Sequence, residues 1–584
     1  VVNQGGLLQT SAADVGGPGG GDANIFGPIT LNGATFTAGN GYNADYQAVI
    51  LLKDVTVGGV AASAINTNAS NTTANSIMLG DAASGTDAIT FNVADATNNA
   101  SADLTVSAKL TNSANSTSNP AAIGALTKAG AGTMVLSGAN TYSGPTTINA
   151  GTLQMNSTNA TSASVTVNSG GTLALNAGDA LGVATGKNVL TINSGTVSNN
   201  MSTGRVTIWN DLTMTGGTLT GTGSGDGNGA YTLNTQVIAT SDAGGNAATI
   251  SGGPIGLQNR NVSGGSITFN VARGPATPAS DLIVSANLIP VSFASGIGIT
   301  KSGNGIMMLS GANTFTAATS VNGGTLTIAA AGSMASTSYT VAGGATLNVS
   351  GVIPAGSVIA DSGTVSFAGN GSGFIATRNV AALNITGGGV AKVLTSTAGA
   401  ATPLVLKPAT LSIDAASNLD LTNNELVAPG SADSALMLIQ SGQVFSSALA
   451  DANHALGYIS VPSSSNMEVR YALKGDANLD GSVDVGDLGA LATSYGASGG
   501  QSWINGDSNQ DGNIDVGDLG ALATNYGSSL ASSPAEAAVA TAVVADGAST
   551  VPEPAMVGML VLAALCHPER RRNRRSRRIL SRSR

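Results

Sequence analysis

Short runs of alternating apolar and polar residues, broken every few positions by Gly-Gly, Asn-Gly or Ala-Gly, fill most of the chain. Ser164-Val-Thr-Val-Asn-Ser-Gly-Gly-Thr-Leu-Ala-Leu175 is one instance, and Val189–Val197, Met214–Leu219 and Tyr339–Val349 are others. A period of two sets Val165, Val167, Leu173 and Leu175 on one face of extended chain. The intervening glycines supply the positive φ that tight turns need. A strand–turn–strand unit of this size cannot bury its apolar face alone, so successive units must stack. The pattern predicts an all-β chain built as a right-handed parallel β-solenoid, with a set of β-sandwiches as the second choice. Stacking also gives the abundant Asn and Thr a use, as ladders along the inside of turns.

A larger period overlies the small one. Leu126-Thr-Lys-Ala-Gly-Ala-Gly-Thr-Met-Val-Leu-Ser-Gly-Ala-Asn-Thr-Tyr142 is repeated by Ile299-Thr-Lys-Ser-Gly-Asn-Gly-Ile-Met-Met-Leu-Ser-Gly-Ala-Asn-Thr-Phe315, an offset of 173. Ile89–Val93 matches Ile267–Val271, and Asp103–Ala108 matches Asp281–Ala286, both at an offset of 178. The change of offset places an insertion near residues 111–125, expected as a surface loop. Leu126–Leu153 and Ile299–Leu326 resemble the autotransporter-associated β-strand repeat. That resemblance implies an exported, β-helical passenger.

The period changes after residue 475. Gly475-Asp-Ala-Asn-Leu-Asp-Gly-Ser-Val-Asp-Val-Gly-Asp487 recurs as Gly506-Asp-Ser-Asn-Gln-Asp-Gly-Asn-Ile-Asp-Val-Gly-Asp518. Counted from the first Asp, side-chain oxygens stand at positions 1, 3, 5, 9 and 12. These are Asp476, Asn478, Asp480, Asp484 and Asp487, then Asp507, Asn509, Asp511, Asp515 and Asp518. Position 6 is Gly481 or Gly512, where the loop turns sharply, and position 7, Ser482 or Asn513, offers its carbonyl. Val483 and Ile514 are apolar anchors beneath. This spacing wraps hard oxygens around Ca²⁺, so two calcium sites are expected. Leu488, Leu491, Ala492 and Tyr495 then fall at helical spacing, as do Leu519, Leu522, Ala523 and Tyr526. Val469, Tyr471 and Leu473 alternate before the first loop as a strand would. The duplicated loop-plus-helix resembles the type I dockerin module, a family that binds cohesins, and a cohesin-like protein or a cell-surface polysaccharide is the partner to test for. Dockerins present loop positions 10 and 11 to cohesin, often as a polar pair, and here those are Val485-Gly486 and Val516-Gly517, so the resemblance carries over the calcium ligands and not cohesin recognition.

Composition agrees with a thin, repetitive core. Gly is 80 of 584 residues, about twice the usual share of roughly 7%. Charged residues are 9% against 42% apolar, which separates the chain from highly charged disordered sequences. Glu569–Arg584 holds nine Arg and one acid, a balance of +8, leaving −18 for the rest of a chain whose net charge is −10. So acidic a body disfavours nucleic acid as a partner. Cys566 is the single cysteine, which excludes an internal disulfide. The first residues, Val-Val-Asn-Gln, fit a processed export signal or a fragment equally.

Six segments follow: a disordered stretch at 1–24, the solenoid body at 25–435, a strand-rich connection at 436–474, the calcium module at 475–530, an Ala/Ser linker at 531–550, and a tail at 551–584. The tail runs from Val551-Pro-Glu-Pro554 through an apolar helix, Ala555–Cys566, into the Arg cluster. It resembles the PEP-CTERM sorting signal. That resemblance implies export, transient membrane contact by the tail alone, and an exosortase-type processing enzyme as partner.

Catalytic material is sparse. The two histidines, His454 and His567, have no triad setting, and His454 reads as a surface loop residue. The sequence therefore predicts no catalytic residue. It points to a surface or extracellular-matrix structural or adhesive protein. The alternative is a lyase- or glycosidase-like β-helix that degrades polysaccharide, docked through the calcium module; a carboxylate pair in a cleft would suffice for it.

Overall fold

The computed structural model describes residues 1–530 apart from 10–23, 40–48, 68–75, 81–84, 113–121, 159–163, 183–188, 260–263, 293, 295, 370–376, 396–402 and 450. The linker and tail expected at 531–584 lie outside the described residues.

Alternation builds rungs, and the rungs build two long sheets. One has 16 strands, from Ile29–Asn32 to Leu411–Ile413; the other has 18, from Leu7–Gln9 to Val444–Phe445. Pairing runs parallel from rung to rung, with Val165 opposite Leu190 in the first sheet and Leu173 opposite Val197 in the second. The strand–turn–strand units of the sequence are the corners between these two sheets. Ser164–Val167 belongs to the first, Gly171–Leu175 to the second, and the chain bends across Asn168–Gly170. Gly170 has φ +79°, and a Cβ on Gly171 would come 2.8 Å from the Ile148 carbonyl oxygen of the rung before. Only glycine turns this corner at rung spacing.

A third side is discontinuous. Its pieces are four strands between Asn24 and Asn112, four between Val206 and Pro290, the pair Ala312–Asn313 and Ser333–Met334, and a last group from Thr377 onward. Inward residues of all three sides share one continuous core, with Phe36, Leu153, Val237, Phe269 and Leu347 fully buried. Outward on the first sheet, Thr90, Thr127, Thr147, Thr166, Thr191 and Thr213 stand in register on successive rungs.

The duplication is structural as well. Gly85–Val93 and Ser266–Val271 occupy the first sheet, while Leu104–Val106 and Leu282–Val284 occupy the second. Of the insertion expected as a loop at 111–125, Ala122–Ala125 instead begin a strand paired with Gly85–Ala88, and 113–121 lie outside the described residues.

Three further expectations need correction. Residues 1–9, expected to be disordered, lie along the first rungs: Leu7–Gln9 pairs with Thr35–Thr37 and Val2 bridges Leu31. A sheet edge offers unpaired N–H and C=O groups that bind backbone whatever its side chains. The asparagine ladders run along the outside of corners, not the inside. Asn193 donates to Asn168 (3.1 Å) and Asn168 to Asn149 (2.8 Å), while Asn200 donates to Asn176 (3.1 Å) and Asn176 to Asn156 (2.8 Å). Buried amides such as Asn140 and Asn313 are bonded to backbone instead, so the side-chain ladders stand where water serves the donors and acceptors left over. His454 opens the strand His454–Ser460 rather than a loop; it stacks on Tyr471 at 4.9 Å and its Nδ1 lies 2.7 Å from Asp451 Oδ1.

The parallel stack ends in antiparallel structure. Glu425–Pro429, the last parallel strand of the third side, pairs antiparallel with Asn466–Leu473, which pairs in turn with His454–Ser460. Helix α1 (Ala432–Gln440), N-capped by Ser431, packs on this hairpin. No helix among the described residues is long and apolar enough to cross a membrane.

Candidate metal centre

Each acidic loop leads into a helix that its own last residues start. Helix α2 (Val485–Ser494) is N-capped by Asp484 and helix α3 (Val516–Asn525) by Asp515. Both carry a reciprocal capping box closed by Asp487 and Asp518, which satisfies N–H groups that a helix start leaves open. The same two residues reach back to the loop's beginning. Asp487 Oδ1 accepts from the N–H of Ala477 (2.8 Å) and Asn478 (3.2 Å), and Asp518 Oδ1 from Ser508 (3.0 Å) and Asn509 (3.3 Å). Asp476 closes the loop's front half, accepting from Asp480 N–H at 3.2 Å and Gly481 N–H at 3.0 Å; Asp507 does so from Asp511 (3.2 Å) and Gly512 (2.9 Å). Gly481 and Gly512 turn with φ of +92° and +84°.

The remaining expected ligands lie on the outer side of the loops. Asn478 Oδ1 accepts from Asp480 N–H and its Nδ2 donates to Asp480 Oδ2, both at 2.9 Å; Asn509 and Asp511 repeat this at 2.9 and 3.1 Å. Asp484 Oδ1 and Asp515 Oδ1 accept from Gly486 and Gly517. Ser482 N–H donates to Asp480 Oδ1 (3.0 Å) and Asn513 N–H to Asp511 Oδ1 (2.8 Å).

The two loops interlock. Val483 and Ile514, both fully buried, form a small core with Leu473, Leu491, Leu522 and Leu530. Val483 pairs with the chain leaving α3, through Gly527 and Ser528, whereas Ile514 pairs with the chain leaving α2, through Gly496 and Ala497. Each loop–helix half is thus bonded to the other.

Asp476, Asp487, Asp507 and Asp518 are completely buried. Burial, reinforced by Asp487 and Asp480 and opposed by the Gly481 N–H, pushes Asp476 up to about 7. Burial likewise raises Asp507. Desolvated acids surrounded by further acids call for a positive charge. An all-oxygen set of carboxylate, amide and carbonyl groups fits a hard divalent cation, and Ca²⁺ above all. Among the described residues no group of three or more His, Cys, Asp and Glu is placed to hold a metal ion.

Sequence reasoning missed a second set of charges, inside the solenoid. Lys128 stands in the inward column of the first sheet between Phe91 and Ile148, and Lys301 between Phe269 and Val321. Each ammonium donates to three backbone carbonyls: Lys128 to Ala129, Gly130 and Ala150 (2.7–3.1 Å), Lys301 to Ser302, Gly303 and Gly323 (2.8–3.0 Å). Burial pushes both down to about 8, against the pull of Asp103 on Lys128 and of Asp281 on Lys301. Those aspartates are themselves buried at corners. Asp281 accepts from Ser241, Arg273, Gly274 and Ile306, each at 2.9 Å, and Asp103 from Thr97 and Thr133. The signal was legible, since Leu126-Thr-Lys128 puts the lysine on the same side as a core leucine.

Both lysines open the segments that match a known repeat. Residues 126–155 and 299–328 fit the passenger-associated-transport-repeat family. The chain is also 36% identical over 158 residues to the adhesin BmaC autotransporter of Brucella suis biovar 1 (strain 1330), an overlap that covers 26% of this chain and 5% of that protein. No solved structure matches.

Proposed function

We propose that this chain is an exported, non-enzymatic structural or adhesive solenoid of the bacterial cell surface or extracellular matrix. The observation that carries the reading is the parallel stack holding two passenger-associated repeats, and the partial likeness to a protein named as an adhesin supports it. The side-chain chemistry agrees. The outward faces carry rows of Thr and Asn, while Asp103, Asp281 and Asp420 are buried at corners, bound to backbone N–H groups and, for the last two, paired with Arg273 and Lys392. Buried carboxylates held in this way act as corner supports, and this favours the structural reading over polysaccharide cleavage.

In this reading residues 475–530 are a dockerin-like module ordered by two Ca²⁺ ions. Asp476, Asn478, Asp480, Asp484 and Asp487 with the Ser482 carbonyl would hold one, and Asp507, Asn509, Asp511, Asp515 and Asp518 with the Asn513 carbonyl the other. The ion would supply the positive charge that the buried Asp476 and Asp507 call for. A cohesin-like protein or a surface polysaccharide is the module's partner. The tail is a sorting signal that contacts the membrane and is processed by an exosortase-type enzyme. The test of the main reading is to offer immobilised chain to bacterial cells and to exopolysaccharide. Retention without new reducing ends or unsaturated products supports it; release of either product contradicts it.

A further inference from the structure

The calcium-module reading leaves open what the loops do for the rest of the chain. Position 4 of each loop answers it. Leu479 and Gln510 both hold left-handed backbone, with φ +59° and +63°, and both touch the hairpin that ends the solenoid. Leu479 is buried in the solenoid's own core, and its carbonyl accepts from Arg470 Nη1 at 2.9 Å. Gln510 Nε2 donates to the Leu456 carbonyl at 2.8 Å. Asn525, at the end of α3, donates to the carbonyls of Asn453 (3.1 Å) and Lys474 (2.8 Å) at the hairpin's two ends.

Trp503 locks the arrangement. It is 1% exposed, its ring lies 6.3 Å from Tyr458, and its Nε1 donates to the carbonyl of Asp476, the first residue of loop one, at 2.6 Å. Gly457 is where hairpin and module meet most closely: a Cβ there would lie 2.4 Å from Leu479 Cδ2 and 2.9 Å from Trp503 Cε2. Reciprocally, Leu473 of the hairpin belongs to the small core under the two loops.

Resting on the calcium reading, we propose that the module is the ion-dependent end cap of the solenoid, with the hairpin 454–473 as the occupant of its inner face. Positions 3 and 5 of each loop are ligand positions and flank the residue that grips the hairpin. Ordering the loop therefore fixes position 4, and position 4 fixes the hairpin. The hairpin covers the edge of Glu425–Pro429, the last parallel strand of its side. An uncovered parallel edge is a template for another chain, so ion loss would fray the terminal rungs and expose that edge. The inner face is thereby closed to outside partners. Any partner must use the outer face, where Val485, Tyr495, Val516 and Tyr526 are each more than half exposed.

The test is hydrogen exchange on the full chain, stripped of metal and then given excess CaCl₂ or EDTA, alongside calorimetric titration with CaCl₂. The proposal expects protection of amides 456–459 and 467–473 to rise about tenfold or more with calcium, while central rungs such as 164–199 stay unchanged. Gly457→Leu, which wedges the contact, should still take up calcium yet lose the rise at 467–473. Calcium uptake with unchanged hairpin protection in the unaltered chain overturns the cap and leaves the calcium reading standing. An absence of calcium uptake overturns both. Transmission undiminished in Gly457→Leu also counts against the cap.

Discussion

At the scale of single residues, charge is placed inside a column made for apolar side chains. Lys301 has all three ammonium donors used. A methionine of similar length would regain apolar burial but leave three carbonyls without that donor, at about 1–3 kcal/mol for each one left buried. Loss should win. Lys301→Met is expected to cost about 2 kcal/mol of stability, read as a lowered thermal midpoint. Asp361 is the contrasting case. It sits in the same inward column between Val341 and Ile385, accepts from Gly363 N–H through Oδ1, and has no hydrogen-bond partner for Oδ2. Burial, opposed by that N–H, raises it to about 6. The folded state then holds the proton more tightly than the unfolded chain, so stability falls as pH rises from about 4 to about 6. Asp361→Asn should match the unaltered chain near pH 4 and be more stable by about 2 kcal/mol at pH 7.5. A difference between the two melting curves that does not vary with pH would refute this.

Elements show how far sequence reasoning could reach. Ser164–Leu175 and Tyr339–Val349 were legible as strand–turn–strand because alternation and glycine mark both limbs and the corner. The third side was not legible. Its strands, such as Val206–Ile208 and Ile255–Leu257, are three residues long with every residue buried, and a three-residue run has no period to read. The order of acidic loop and helix was legible, since each helix starts at an Asp cap that closes its loop. Their attachment to the hairpin was not, because it depends on Gln510, Asn525 and Trp503 meeting carbonyls far away in sequence. Gly457→Ala tests that packing: the added methyl should cost about 1–3 kcal/mol by overpacking and shift Trp503 emission to the red. Asp484→Ala removes one helix cap and should lower the stability of the loop–helix pair by about 1 kcal/mol, measured by denaturant unfolding followed at Trp503.

For the whole molecule, the described chain is a long stack with little exposed chemistry, closed at its C-terminal end by the most acidic structure it has. A solenoid's stability is a sum over rungs and neighbouring interfaces, so its ends fray first and a cap acts where it matters. Calcium at 100 times its Kd should add about 2.7 kcal/mol per bound ion to whatever unfolds with the loops. The direct measurement is calorimetric titration of the metal-stripped full chain with CaCl₂, repeated on Asp476→Ala and Asp507→Ala. The account predicts two ions per chain and the loss of one in each variant. No binding heat, or a stoichiometry that neither substitution changes, would contradict it.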